Sequence, residues 1–416
     1  MKTTSTLFAV LFCSLLVTTP IVPSLAADGS TSEWQKTYGG PGNDMTWSMT
    51  KTTDGGYVMA GETQTDASAL YYAWLIKTDA NGNALWSKTH DGTFRAVIQT
   101  SDGGLAIAGI QGYRTTPDND FLLVKTDAQG NVQWRKTFDP FNLPGDPNPS
   151  STHEWAWGVD QTADGGYVLT GSTNAYGIDD DVWLIKTDSS GNTQWNRTFG
   201  GPDVDYAYVV VQTQDGGYAI GGGTEIPGRQ MDFWLIKTDS NGRALWNRTY
   251  GKTETDWLYS MIQTSDGGFA LVGGYGLGAW LVKTNALGNE QWNKTYSGNF
   301  RSVVQTTDGG YAMAGDIDRG NYVYDFWFVK ADVNGNASWN RTLEGVGMDQ
   351  AFSVVQPADG SYILSGPTES YGAGLRDLWL VKITGAVVPE FQSNFLLIAS
   401  VVIVAFAIVL GKAHAK

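Results

Sequence analysis

The fold class this sequence predicts is all-β: a seven-bladed β-propeller of four-stranded antiparallel blades. Three observations predict it. Asp-Gly steps recur at Asp54, Asp102, Asp164, Asp215, Asp266, Asp308 and Asp359. Their spacing is about 50 residues, and self-similarity at such a period marks an array or a propeller. Each repeat also divides into four short strand-like segments separated by turn residues. The composition agrees: 52 Gly, 17 Trp, 12% aromatic and only 17% charged residues in a chain of 416, a turn-rich and aromatic-rich profile.

The chain opens with Met-Lys, an apolar run from Leu7 to Val22, and Ser24-Leu25-Ala26-Ala27. Small residues at Ser24 and Ala26 meet the cleavage rule of a secretory leader, so residues 1–27 are expected to be a signal peptide. The single cysteine, Cys13, lies inside that leader. No disulfide or thiolate chemistry is therefore expected in the remainder.

Residues 28–386 carry the repeats. In the fourth, the β-branched run AYVVVQT (207–213) leads into an Asp-Gly-Gly turn, then YAIGGGT (218–224), FWLIKTD (233–239) and ALWNRTY (244–250). Asp-Gly-Gly and Asp-Ser-Asn-Gly tolerate positive φ and close tight hairpins. Four strands apolar on both faces cannot bury themselves alone, but packed radially they can. The third-strand motif falls at Trp74, Leu122, Trp183, Trp234, Trp280, Trp327 and Trp379. The fourth-strand tryptophan falls at Trp34, Trp86, Trp134, Trp195, Trp246, Trp292 and Trp339. The last repeat thus lacks its outer strand, and EWQKTYGG at 33–40 is a spare one. Trp34 is expected beside Trp379, closing the ring and removing an exposed sheet edge, as WD-repeat propellers do.

After the repeats come a linker (387–394) with Pro389-Glu390-Phe391, an uncharged run (395–411), and a basic tail, 412–416. The run is near the lower limit of about 17–25 residues for a spanning helix. Lys412 and Lys416 favour a cytoplasmic C-terminus. A transmembrane helix and a membrane-anchored, outward-facing propeller are expected.

Two resemblances follow from these residues. The G-x-T, D-x-W-L-x-K-T-D and G-N-x-x-W-x-x-T-Y-G-G grammar across 33–385 resembles the secreted and surface β-propeller repeats of the SBBP type, which implies the fold but no single activity. The Pro-Glu-Phe tail resembles the PEF-type C-terminal sorting signals of archaeal surface proteins. That resemblance implies either an anchor or a processing signal.

Residues present in every blade are read as structural. These include the third-strand lysines Lys77, Lys125, Lys186, Lys237, Lys283, Lys330 and Lys382. The Asp-x-x-Gly-Asn turns lack the ligand density of a calcium loop. Sequons stand at Asn196, Asn247, Asn293, Asn336 and Asn340, four of them directly after the fourth-strand tryptophan, where a glycan would protrude from the outermost strand.

Function is expected where the blades differ. Seven residues before the Gln (or Lys51) that ends each inner strand, five blades carry an acid: Asp44, Glu154, Asp205, Asp256 and Asp349. Three residues further on stand Trp47, Trp157, Tyr208, Tyr259 and Phe352. Blades 2 and 6 carry Gly92 and Gly298 at the acid position, and Arg95 and Arg301 at the aromatic one. Trp155 and Trp257 fall in the same stretch. The sharper reading is a binding face, with tryptophans as stacking platforms and a carboxylate ring for a cation or for sugar hydroxyls. The plainer reading is that the acids cap loops, the aromatics pack between inner strands, and the arginines pair with neighbouring acids.

Catalytic signals are sparse. His90 and His153 are the only histidines of the repeat region, and no nucleophile elbow or phosphate-cradling loop is present. A carboxylate-pair glycosidase stays open on the five acids. A net charge of −15 argues against a nucleic-acid partner. No cofactor is called for, with calcium the one metal left open. The balance favours a surface-displayed, non-catalytic module binding a glycan or an envelope protein. A carbohydrate-active enzyme and a purely structural envelope component are the alternatives.

Overall fold

The computed structural model describes residues 32–385 apart from 65–69, 113–118, 141–152, 176–178, 227–229, 253 and 276–277. The expected leader, linker, membrane helix and basic tail lie outside the described residues, as does most of the proline-rich loop before His153. Among the described residues no helix is long and apolar enough to cross a membrane.

Seven four-stranded antiparallel sheets form the seven blades, and blade 4 shows how each is made. Asp205–Gln212 is innermost, followed outward by Tyr218–Glu225, Met231–Thr238 and Ala244–Tyr250. The two middle strands are buried on both faces, whereas the outermost is largely exposed. That gradient matches the sequence, in which apolar β-branched and aromatic residues give way outward to Asn, Arg and Thr. The inner strands of blades 1, 2, 3, 5 and 6 are Asp44–Lys51, Thr93–Gln99, Glu154–Gln161, Asp256–Gln263 and Asn299–Gln305, and blade 7 begins at Ser353–Val355.

Blade 7 takes its outermost strand from the other end of the chain. Ser32–Tyr38 runs antiparallel to Asp377–Ile383. The register sets Trp34 opposite Lys382 and Thr37 opposite Trp379, not Trp34 beside Trp379. The cause is the grammar common to all blades: each outer tryptophan faces a third-strand lysine, as Trp246 faces Lys237. Trp379 Nε1 instead donates to Gln35 Oε1 at 3.1 Å.

The core lies between blades. One cluster joins Ala219, Phe233 and Leu235 of blade 4 to Leu258, Met261, Phe269 and Leu271 of blade 5. Burying one such side chain stabilises by about 1.5–3 kcal/mol. The outer tryptophans extend this packing. A Cβ on Gly242, which adopts φ +73°, would stand 2.5 Å from the Trp195 ring of the preceding blade. Only glycine admits that indole.

The lysines of the third strands are turn anchors. All seven make ion pairs with the Asp-Gly aspartates of their own blades, from Lys77–Asp54 at 3.0 Å to Lys382–Asp359 at 2.8 Å. Lys237 Nζ also donates to the Thr238 carbonyl at 2.8 Å. The Asp-x-x-Gly-Asn carboxylates are likewise used by their own turns: Asp79 Oδ1 accepts the N–H groups of Asn81 and Asn83, both at 2.8 Å. On this same face the strand-ending glutamines lace neighbouring blades. Gln212 Oε1 accepts the Ala163 N–H at 2.8 Å and Gln305 Oε1 the Ser265 N–H at 2.8 Å. Blade 1 has no glutamine here, and Lys51 Nζ reaches the Gln356 carbonyl at 3.4 Å.

Candidate functional site: a ring of aromatics and arginines

At the opposite face six of the seven inner strands break their pairing with the second strand by one residue. The register shifts fall between Thr46 and Ser48, Phe94 and Ala96, Ala156 and Gly158, Ala207 and Val209, Leu258 and Ser260, and Phe300 and Ser302. The skipped residues are Trp47, Arg95, Trp157, Tyr208, Tyr259 and Arg301. A bulge inserts one unpaired residue and re-aims its side chain. Here it turns all six toward the channel.

A second-strand glycine makes the bulge possible. A Cβ on Gly61, Gly171 or Gly222 would lie 1.9, 1.8 and 1.8 Å from the carbonyl oxygens of Met45, Trp155 and Tyr206. The same residue type recurs at Gly109, Gly273, Gly315 and Gly366, with contacts as close. This sevenfold glycine is the sequence signal for the bulge, since a glycine inside a strand marks a bulge or a close backbone approach. Reading the glycines only as part of a repeat missed it.

With Phe352 of blade 7, the bulge residues close a ring. Trp47 stacks on Phe352 at 5.1 Å and 13°. The Arg95 guanidinium lies 4.3 Å from the Trp47 ring and 5.0 Å from that of Trp157. Trp157 meets Tyr208 edge-on at 5.4 Å, and Tyr208 meets Tyr259 at 5.9 Å. Arg301 then sits 4.5 Å from Tyr259 and 5.3 Å from Phe352. These seven side chains line a cavity of about 290 Å³. Above it on blades 3 to 5 further aromatics continue the stack: Trp155 on Trp157 at 6.1 Å and 9°, and Trp257 on Tyr206 at 5.4 Å and 15°. Trp257 is 37% exposed.

The two arginines differ. Arg301 Nε donates to Asp316 Oδ1 at 3.2 Å, and Asp316 also accepts from Gln350 Nε2 at 3.2 Å. Burial opposes the Arg301 charge, but Asp316 and the phenols of Tyr259 and Tyr208 outweigh it and its pKa is raised. Arg95 lies between two indoles and is 5% exposed. Burial also raises the phenol pKa values of Tyr208 and Tyr206, so both stay neutral donors.

The five acids do not face this cavity. Asp44, Glu154, Asp256 and Asp349 are 0% exposed and Asp205 is 3%. Each lies at the junction with the preceding blade. Gly40, Gly201 and Lys252 donate their N–H groups to Asp44, Asp205 and Asp256 at 2.7, 2.9 and 2.8 Å. Thr173 Oγ1 donates to Glu154 at 3.0 Å, and Thr63 and Thr368 donate likewise to Asp44 and Asp349. These carboxylates cap the loops between blades.

Every capping acid has an acidic counterpart at the start of the previous blade's third strand. The position of a Cβ on Gly200 lies 1.8 Å from Asp181 Oδ1 and 2.8 Å from Asp205 Oδ2, and that of a Cβ on Gly39 is 2.1 Å from Asp377 Oδ1 and 2.6 Å from Asp44 Oδ2. Burial raises Asp256 to about 6, the Lys252 N–H opposing and Asp232 adding to the rise. In the two blades preceding Gly92 and Gly298, the third strands start with Tyr72 and Gly278 instead of aspartate. The acids therefore come and go as pairs, and the arginines occur at the two junctions without a pair.

His90 occupies an outer-strand position where five other blades have Tyr or Phe and blade 6 has Leu343, and it rests 5.6 Å from Phe94. His153 is exposed, its N–H bonded to Asn174 Oδ1 at 2.9 Å. Asn196, Asn247, Asn293 and Asn336 are exposed, and Asn340 is half-buried.

No protein-family model matches the chain. No curated protein matches its sequence. Among solved structures, streptogramin B lyase is similar with TM-score 0.51 and 10% identity, over 84% of this chain and 98% of that one. YCF48 bound to a D1 peptide is similar with TM-score 0.50 and 13% identity, over 88% and 99%. The likeness is one of fold. At such identity a shared propeller carries no activity with it.

Proposed function

We propose that this chain is a surface-displayed binding module that holds a glycan or an envelope protein in the ring of channel-mouth side chains. The observation that carries the reading is the ring itself. Six bulges, each of which needs a glycine opposite it, direct large side chains into a water-accessible channel. Packing alone would be served by an unbroken strand. Concave sites with apolar walls and a few placed polar groups are the usual form of ligand pockets. YCF48, of like fold, is bound to a D1 peptide, which supports a binding role by analogy of fold alone. Display at the surface rests on the leader-like and membrane-like ends of the sequence and on the resemblance of its tail to a sorting signal.

The test is binding of the purified chain to a panel of glycans, cell-wall polymers and envelope proteins, once with calcium and once with chelator. A ligand whose binding is lost in Trp155→Ala/Trp157→Ala supports the module. Turnover of a glycan, lost in Asp205→Asn or Asp256→Asn, would replace it with an enzyme. Unchanged behaviour of all these variants, with no ligand bound, would leave a structural role.

A further inference from the structure

The charge and shape of the ring narrow the ligand class, on the reading that the ring is a binding site. We infer that it takes an acidic oligosaccharide, with one uronate ring seated in the cavity and the following sugars running out over blades 3 to 5.

Charge comes first. The chain carries −15 overall, yet the cavity lining holds two guanidinium groups and no carboxylate. The arginines come from blades 2 and 6, on opposite sides of the channel. Asp316 takes Nε of Arg301, and among the described residues no hydrogen bond engages its two Nη groups. A guanidinium with free Nη groups is preorganised for a carboxylate. The aromatic neighbours of both arginines hold the guanidinium planes still, so little side-chain entropy is lost on binding.

The walls then select the body attached to that carboxylate. Apart from the arginines, the lining offers only indole, phenol and phenyl groups. Such faces suit the C–H face of a pyranose ring, with Tyr208 and Tyr259 hydroxyls as polar handles. A peptide entering the same space would leave amides unpaired against aromatic walls, a penalty a sugar's C–H face does not carry.

The rim supplies direction. Aromatic platforms above the ring occur on blades 3, 4 and 5, as Trp155, Tyr206 and Trp257, while the matching positions of blades 1 and 6 are Met45 and Asn299. A cavity of about 290 Å³ is at the small end of ligand sites. It suits the end of a chain, and the stacked platforms lead away from it on one side only.

Isothermal titration of the full chain in detergent tests this, using uronate trisaccharides of the galacturonate, glucuronate and mannuronate types. The controls are their methyl-esterified, neutral forms and triglutamate. The expected result is binding of at least one uronate with at least ten-fold preference over its ester and weakening as salt rises. Arg301→Met should weaken it ten-fold or more, and Arg301→Lys should recover part of that loss. Equal affinity for acid and ester would overturn the anion requirement while leaving the binding module standing. Binding of triglutamate without any uronate would overturn the sugar. Failure of every uronate would overturn this inference, and the module falls as well only if the wider panel also fails.

Discussion

The two faces of the propeller differ in how strictly the blades repeat. On the Asp-Gly face all seven blades carry the same lysine–aspartate pair, and glutamines lace six blades to their neighbours with Lys51 at the seventh position. On the opposite face six blades share the bulge, but the residue at the ring position is Trp, Arg, Trp, Tyr, Tyr, Arg and, in blade 7, Phe in turn. A feature needed seven times maintains the ring. A position that is held by geometry and varied in chemistry can recognise something. The difference separates framework from site without reference to any relative.

Interference with the common geometry should have the largest effect. Gly222→Ala forces a Cβ toward the Tyr206 carbonyl at 1.8 Å, and neither backbone can give way without losing the bulge. A loss of about 3 kcal/mol or more is expected, read as a fall in the denaturant midpoint. A stability change below about 1 kcal/mol would mean that the bulge is not held by this contact.

A paired substitution then sharpens the contrast between faces. Lys237→Met removes a side chain that is 6% exposed and bonded to Asp215 and the Thr238 carbonyl. It should cost about 1–3 kcal/mol and leave ligand affinity as it is. Arg301→Met should do the reverse, lowering affinity more than stability. Thermal melts and titrations on the same preparations decide it, and the same ranking for both variants in both assays would dissolve the distinction.

The aspartates of the two faces should also titrate with opposite sign. Asp256 is raised to about 6 by burial. The folded state therefore favours its protonated form. Its contribution is fully present below the ordinary carboxylate pKa of about 3.9 and is lost as pH rises through about 6. Asp54, Asp102 and Asp308 are lowered to about 2: burial pushes up, but the Thr hydroxyls, the lysines and the turn N–H groups outweigh it. Their contribution is present above the ordinary value and is lost as pH falls toward about 2. Each is small, because the carboxylates are largely solvent-exposed. Denaturation between pH 4 and 7 should show a decline in the native chain that is shallower in Asp256→Asn, the part that remains coming from the other raised carboxylates such as Asp205 and Asp377. A parallel slope in both would assign that pH dependence to other groups.

The smallest effect is expected at the rim. Trp257→Ala removes an exposed ring stacked on Tyr206, so stability should move by less than about 1 kcal/mol. Any affinity for an oligosaccharide should fall by more than affinity for a monosaccharide. Equal losses for both would place Trp257 in the cavity's own binding and not in a track leading from it.

Much of this was legible in the sequence because the repeat states its message several times. One copy of Trp-x-x-Lys says little, but seven copies with a displaced outer strand imply a ring closed by residues 33–40. Counting back from the strand-ending glutamine brought Trp47, Arg95, Trp157, Tyr208, Tyr259, Arg301 and Phe352 to one level, and the structure joins them in one ring. The direction of the acids was not legible. Asp205 and Tyr208 are three residues apart, and the bulge between them turns one into the blade junction and the other into the channel. That half of the picture depends on Gly222 in another strand and on Asp181 in another blade. The signal was nevertheless present, since Tyr72 and Gly278 replace the third-strand aspartate just before the two blades that lack the capping acid.

The account's central claim is that recognition resides where the blades depart from one another. Restoring the symmetry tests it most directly: Arg95→Tyr and Arg301→Tyr together give every blade an aromatic at the ring position. Affinity of this double variant for the best ligand of the native chain should fall ten-fold or more, while its thermal midpoint stays within a few degrees of native. Native affinity in a ring made wholly aromatic would contradict the claim.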